Sequence, residues 1–255
     1  MASTGAKVYI TARQKDKGQA IANKITQEFG REVGLIELSL DSFDSIRKAA
    51  TEFLGQSQQL NILINNAGVM ASLEGRTSDG YETQFGTNHL GHFLLFQLLK
   101  HVLLSSSKPQ FNSRVVSVPS SAHRLNSVHL GNYNFDRDPN DTYEPWKALH
   151  PGGMMTELQR YVPGAGDNLS PRQQRQMKDS EQGAATSVWA AIAKELEGRG
   201  GVFLDDVQKS EPWDKDPTRE MLGPDGGYLP HIYDEGSERK LWQDSLEMVG
   251  LPDDL

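Results

Sequence analysis

Asn65-Asn66-Ala67-Gly68 closes the apolar run Leu60-Asn61-Ile62-Leu63-Ile64 and is the first place where this sequence offers chemistry. Small residues at Ala67 and Gly68 let a backbone approach a ribose. An Asn amide such as that of Asn66 brings both a donor and an acceptor to a strand's carboxyl end, where α/β sheets bind ligands. Read blandly, the same residues make a strand-ending turn. Asn88 follows in a long apolar helical pattern, and Ser120 comes just after the run Arg114-Val115-Val116-Ser117-Val118. His89 and His92 stand one helical turn apart, but no third ligand accompanies them, so packing outweighs metal binding and no metal is expected. Tyr143 and Lys147 are spaced to share one helix face. Pro145 between them fits only a helix's first turn and leaves Tyr143 outside it, so the pair is a poor acid–base candidate.

The elements that must position these residues alternate in type. Lys7–Ala12 reads as a strand, and Asp16–Phe29 as a helix through Ala20, Ile21, Ile25 and Phe29. Val33–Leu40 is a second strand. Asp41 or Ser42 caps a helix through Ile46, Ala49, Ala50, Phe53 and Leu54. Leu60–Asn65 is more continuously apolar and reads as a central strand. A long helix from about Tyr81 to Leu104 precedes a fourth strand, Arg114–Val118. This alternation predicts an α/β fold with a doubly wound parallel sheet. From Leu125 onward the pattern weakens. Thr156–Tyr161 suggests a short helix, Ser180–Leu196 a firm one and Gly201–Leu204 a last strand. Positions 206 to 230 read as loop, and Ser237–Met248 as a closing amphipathic helix. No linker divides the chain, which reads as a single domain over 1–255 with a C-terminal tail from about 206.

Composition removes several classes of function. With 255 residues and 36% hydrophobic content the chain can bury a full core. A net charge of −8 argues against a nucleic-acid partner. The absence of cysteine excludes disulfides, thiolate metal sites and a Cys nucleophile. The stretch Phe93–Leu104 is interrupted by Gln97, Lys100 and His101, so no membrane span is expected, and the first residues lack a signal-peptide core. A soluble cytoplasmic protein is the expectation.

The ordered set Asn65-Asn66-Ala67-Gly68, Asn88-His89-Leu90-Gly91-His92, Ser120 and His150-Pro151-Gly152 resembles the short-chain dehydrogenase/reductase family, in its retinol-dehydrogenase-like and fungal branch. The resemblance covers nearly the whole chain, including the tail from Tyr228 to Gly250. It implies a Rossmann-like fold and hydride transfer between NAD(P)(H) and a small carbonyl or alcohol. Carried over by position, Asn88 matches the Asn that anchors a water relay, and Ser120 the Ser that hydrogen-bonds the substrate oxygen. Asn66, with Ala67 and Gly68, matches the contact to the cofactor ribose. Arg13 matches a place where a cation favours the 2′-phosphate of NADP, and Met154 and Thr156 match positions that meet the nicotinamide amide.

Two parts of the family pattern have no counterpart. The family's first strand and its glycine-rich phosphate turn would precede Met1-Ala2-Ser3-Thr4-Gly5-Ala6, which matches the run into the second strand. The helix carrying Tyr-x-x-x-Lys would stand between Ala148 and Leu149. The expected fold is therefore incomplete, lacking the first strand and the catalytic helix region. Ser39 stands where the family has an Asp for the adenine, with Asp41 two residues beyond. Pro119 stands before Ser120 and removes a donor from what reads as a central strand.

Three functions follow as expectations: an NADP-dependent oxidoreductase impaired or inactive as this chain, a non-catalytic interaction protein, or an incomplete product of an active reductase gene. Both gaps have clean edges, as a mis-assigned start and a skipped coding segment would leave. The expected partners are a small-molecule substrate and, through the Tyr81–Leu104 helix or open strand edges, another copy or a full-length relative.

Overall fold

The computed structural model describes residues 1–136, 178–213 and 226–253. Strand β1 (Val8–Ala12) leads into helix α1 (Lys15–Phe29), strand β2 (Val33–Glu37) and helix α2 (Phe43–Gln56). Ser42 caps α2, its side chain accepting from Ser45 N–H at 3.3 Å. Strand β3 (Ile62–Asn65) follows. The long helix then begins with one turn at Thr83–Phe85, opens into a π turn at Gly86–Leu90 and continues as α3 (Gly91–Ser106). Strand β4 (Arg114–Ser117) comes next. Helix α4 (Ser180–Ile192) is entered through a capping box between Asp179 and Gln182 and stops at extended Ala193, so the helix expected to Leu196 is interrupted. Helix α5 (Glu235–Met248) is capped by Asp234.

The four main strands pair in parallel, β1 with β2 and β3 with β4, with Val8 opposite Val33 and Ile62 opposite Arg114. They form two separate two-stranded sheets among the described residues. Strand β3, expected to be central, hydrogen-bonds only β4 among the described strands, and Ile64 is 37% exposed. The expected last strand is corrected too. The strand is Leu204–Asp205 (β5) rather than Gly201–Leu204, and it pairs antiparallel with Gln208–Lys209 (β6), which lies in what read as loop. Its turn uses Asp206 and Val207, both at positive φ.

One apolar cluster joins Ile36, Leu38 and Leu40 to Ile46 and Phe53 of α2, to Leu90, Leu94 and Leu99 of the long helix, and to Leu246 of α5. Helix α3 lies close to the β2–α2 connection at Gly91, where a Cβ would stand 2.5 Å from the Leu40 carbonyl oxygen. An aromatic column runs from Tyr133 through Phe85 and His89 to Phe93, with Trp242 edge-on to Phe93 at 5.1 Å. Trp242 of α5 thus packs on Phe93 and Phe96 of the long helix. No helix among the described residues is long and apolar enough to cross a membrane.

Candidate functional site

The carboxyl end of β3 and the π turn form one unit. Asn88 Oδ1 accepts from Val69 N–H at 2.8 Å, and Asn88 Nδ2 donates to the Val69 carbonyl at 2.7 Å. One side-chain amide therefore fixes both polar groups of a backbone residue and ties the 65–71 loop to the helix. Gly68 makes room for it, because a Cβ there would lie 2.9 Å from Asn88 Oδ1. The π turn closes through Gly91 N–H to the Gly86 carbonyl, and such turns often occur at functional positions. Two residues on, Gln84 Oε1 holds Ala71 N–H at 2.9 Å. The loop is thus pinned at both Val69 and Ala71, leaving Asn66 and Ala67 exposed.

His92 reaches the same loop, its Nε2–H donating to the Ala67 carbonyl at 2.6 Å. A carbonyl only accepts, so Nε2 carries the proton and Nδ1 is an acceptor; Nδ1 is buried without a partner. Asn65 Oδ1 is a second buried acceptor without a partner. Burial lowers the pKa of His92 against the opposing pull of the Ala67 carbonyl. His89 points elsewhere. Its Nε2 lies 2.8 Å from Ser245 Oγ, whose proton goes to the Leu241 carbonyl at 2.6 Å, so His89 Nε2–H is the donor. Burial, helped by nearby His92, lowers its pKa to about 4. The two histidines therefore hold different parts of the fold, and no group of metal-ligating side chains occurs among the described residues.

Ser120 lies three residues past β4 and is 2% exposed. Val118 N–H still bonds the Asn65 carbonyl at 3.0 Å, so the two segments leave their strands side by side. Pro119 comes after the last strand residue, Ser117, and interrupts no ladder bond, contrary to the sequence expectation. Arg13 is exposed just beyond β1. Ser39 donates to Asp41 Oδ1 at 2.5 Å, and its N–H bonds Ser45 Oγ at 2.9 Å, so both residues are occupied within the β2–α2 turn. Met154, Thr156, Tyr143, Lys147, the Thr156–Tyr161 helix and the Ala148–Leu149 junction lie outside the described residues.

Two described tyrosines invite comparison with a general acid. The Tyr133 hydroxyl donates to Asp244 Oδ2 at 2.6 Å, and burial together with that carboxylate raises its pKa. Tyr81 donates to the Met248 carbonyl at 2.9 Å and is also raised, mainly by burial. Both act as ties to α5. Gly68 and Asn88, both candidates from the sequence, meet at the clamp, whereas His92 and Gln84 were not singled out as loop anchors. Their helical spacing from Asn88 was visible, whereas their targets on the loop were not.

The nicotinamide dinucleotide implied by the resemblance fits this arrangement in part. Asn65 Oδ1, a buried acceptor without a partner, adjoins exposed Asn66 in the chain, and a ribose hydroxyl or a bridging water would satisfy it. The phosphate half does not fit. Among the described residues no helix N-terminus follows a glycine-rich turn, and four have capping side chains of their own: Ser42, Glu82, Asp179 and Asp234.

Comparison with known proteins agrees with this geometry. The family described as short chain dehydrogenase matches residues 1–134. Short-chain dehydrogenase/reductase prx1 of Penicillium roqueforti is 43% identical over 283 aligned positions, covering 98% of this chain and 80% of that protein. Retinol dehydrogenase 11 of Mus musculus is 32% identical over 284 positions, covering 100% of this chain and 82% of that protein. Among solved structures, an uncharacterised protein from Mycobacterium paratuberculosis superposes with a TM-score of 0.66 at 28% identity, covering 100% of this chain and 88% of that one. The NADP complex of Pseudomonas aeruginosa RhlG shares the fold, with a TM-score of 0.52 at 22% identity over 75% of this chain and 82% of that one. With its parallel α/β architecture and the clamped loop after β3, this chain belongs to the short-chain dehydrogenase family of oxidoreductases.

Proposed function

We propose that the chain is an NADP-binding oxidoreductase for a small carbonyl or alcohol, with turnover impaired or lost in this form. The observation that carries the reading is the Asn88–Val69 clamp, which holds Asn66 and Ala67 out at the carboxyl end of β3 beside the segment leading to Ser120. Asn66, Ala67 and Gly68 would take the ribose, and exposed Arg13 would favour a 2′-phosphate over a hydroxyl. Ser120 and Asn88 are the catalytic candidates, and Met154 and Thr156 the candidates for the nicotinamide end. NADPH when bound supplies a hydride. No general acid to complete the transfer can be assigned among the described side chains.

The alignment lengths support impairment. The match to prx1 spans 283 positions and this chain has 255 residues, so at least 28 positions of the relative have no counterpart here. The Ala148–Leu149 junction is where the resemblance places such a gap, and the lost segment would include Tyr-x-x-x-Lys. Loss of a general acid slows proton transfer by roughly 10²- to 10⁴-fold. The test compares NADPH oxidation over a panel of aldehydes and ketones by this chain and by a version with the relative's segment inserted at that junction. The insertion is expected to restore turnover by that factor. Equal rates would refute impairment.

The same surplus of aligned positions favours a second reading, in which this chain is an incomplete product of an active reductase gene. Sequencing the transcript across Ala148–Leu149 tests it. Extra codons there would support it, and a direct junction would exclude a skipped segment at that place.

A further inference from the structure

His123 stands in the single turn Ser121–Arg124 and is 7% exposed, between Ser120 and a segment more than a hundred residues away in sequence. Its Nδ1 is 2.5 Å from the Ser120 carbonyl, and Leu229 N–H points at its Nε2 from 3.4 Å. These contacts define the tautomer. A carbonyl can only accept, so Nδ1 carries the proton, and a backbone N–H can only donate, so Nε2 must be bare. Phe203 packs on the ring at 5.1 Å and His231 stands edge-on at 6.2 Å.

Segment 226–233 is otherwise held to 203–213. Tyr228 exchanges backbone bonds with Glu211 and Trp213, Gly227 N–H bonds Asp205 at 2.8 Å, and the Tyr233 hydroxyl accepts from Phe203 N–H at 3.1 Å. His123 adds a hydrogen-bonded bridge from this C-terminal unit to the turn that sets Ser120.

We infer that His123 is a positioning residue: locked in its Nδ1–H form, it fixes the Ser120 carbonyl and seats the Leu229 backbone, coupling Ser120 to the C-terminal segment. Adding a proton at Nε2 places a donor against the Leu229 donor and breaks the coupling on that side. Arg124 on its own turn and His231 on the segment both oppose a second positive charge, and burial is the larger cause of the lowered pKa. The Ser120 carbonyl opposes that lowering. That Ser120 meets substrate rests on the proposed function; the coupling does not.

The test uses the full chain and needs no cofactor. Nitrogen-15 NMR of the histidine rings is expected to show His123 as the Nδ1–H tautomer at pH 7.5. An Nε2–H tautomer would overturn the inference. Hydrogen exchange, corrected for intrinsic rates, then reads Leu229. Asn at position 123 keeps a donor near the Nδ1 place, and Gln an acceptor near the Nε2 place. His123→Asn is expected to cut protection of the Leu229 amide about five- to tenfold at pH 7.5 and to lose its decline on acidification. His123→Gln is expected to retain that protection and lose its decline on acidification, whereas His231→Gln retains the decline. Unchanged protection in His123→Asn, or an acid decline persisting in His123→Gln, would refute the coupling. Failure of NADPH to bind would sink the proposed function and leave these readouts intact.

Discussion

Acid should destabilise this protein through His89, and the size of the effect follows from the structure. The ring stacks between Phe85 and Phe93, at 5.1 and 5.9 Å, and its Nε2–H bonds Ser245. Burial, with His92 nearby, sets its folded pKa at about 4, against 6.5 for an unperturbed His. The folded pKa is depressed, so between those values the unfolded chain binds the extra proton and the folded chain does not. Stability is therefore highest above pH 6.5 and falls as pH drops toward 4, at a limiting slope of ~1.4 kcal/mol per pH unit. The two pKa values give a loss of about 2 kcal/mol between pH 7 and pH 5, and about 3 kcal/mol once pH passes below 4. Urea unfolding at pH 7.0, 6.0 and 5.0 measures it. His89→Gln keeps an N–H donor near Ser245 but cannot titrate, so its stability should fall by about 2 kcal/mol less over that range. His92 and His123, also lowered, leave a residual slope in the variant. Parallel curves for the two proteins, or an NMR titration of His89 near 6.5, would refute the reasoning.

The loop after β3 offers two further tests. Asn88→Asp keeps an acceptor for Val69 N–H but sets an oxygen against the Val69 carbonyl, and should cost about 1–3 kcal/mol, read as a shift in urea midpoint with unchanged slope. Gly68→Ala puts a Cβ where 2.9 Å separates it from Asn88 Oδ1, so the amide must move; a loss of about 1–3 kcal/mol is expected, together with faster hydrogen exchange at Val69. Destabilisation by Gly68→Ala should largely disappear in an Asn88→Ala background, because the clash and the clamp share one group.

Local chemistry carried much of the fold. Apolar spacing through Ala20, Ile21, Ile25 and Phe29 marked α1, Asp41 or Ser42 marked the start of α2, and the run ending at Asn65 marked β3. These signals lie within a few residues of one another, which is the range over which capping and periodicity act. Features set by distant contacts were not legible. The π turn at Gly86–Leu90 looks in sequence like ordinary helix, because nothing local requires Asn88 to face Val69. The β5–β6 ribbon turns through Val207 at φ 61°, a conformation that a β-branched residue rarely signals. Spacing alone could not separate His89 from His92, since the Ser245 partner of His89 is remote in sequence. Pairing of strands was legible as parallel; the open edge of β3 was legible only through the family resemblance, since apolar Ile62, Leu63 and Ile64 by themselves suggest burial on both faces.

The proposed function depends on the loop held by Asn88 taking the ribose of the cofactor. Titration of the full chain with NADPH, followed through energy transfer from tryptophan to the nicotinamide, tests this directly. The account predicts saturable binding, tighter for NADPH than for NADH and weakened toward the NADH value in Arg13→Ala. No saturable signal at millimolar NADPH would contradict it and remove any redox role for this chain.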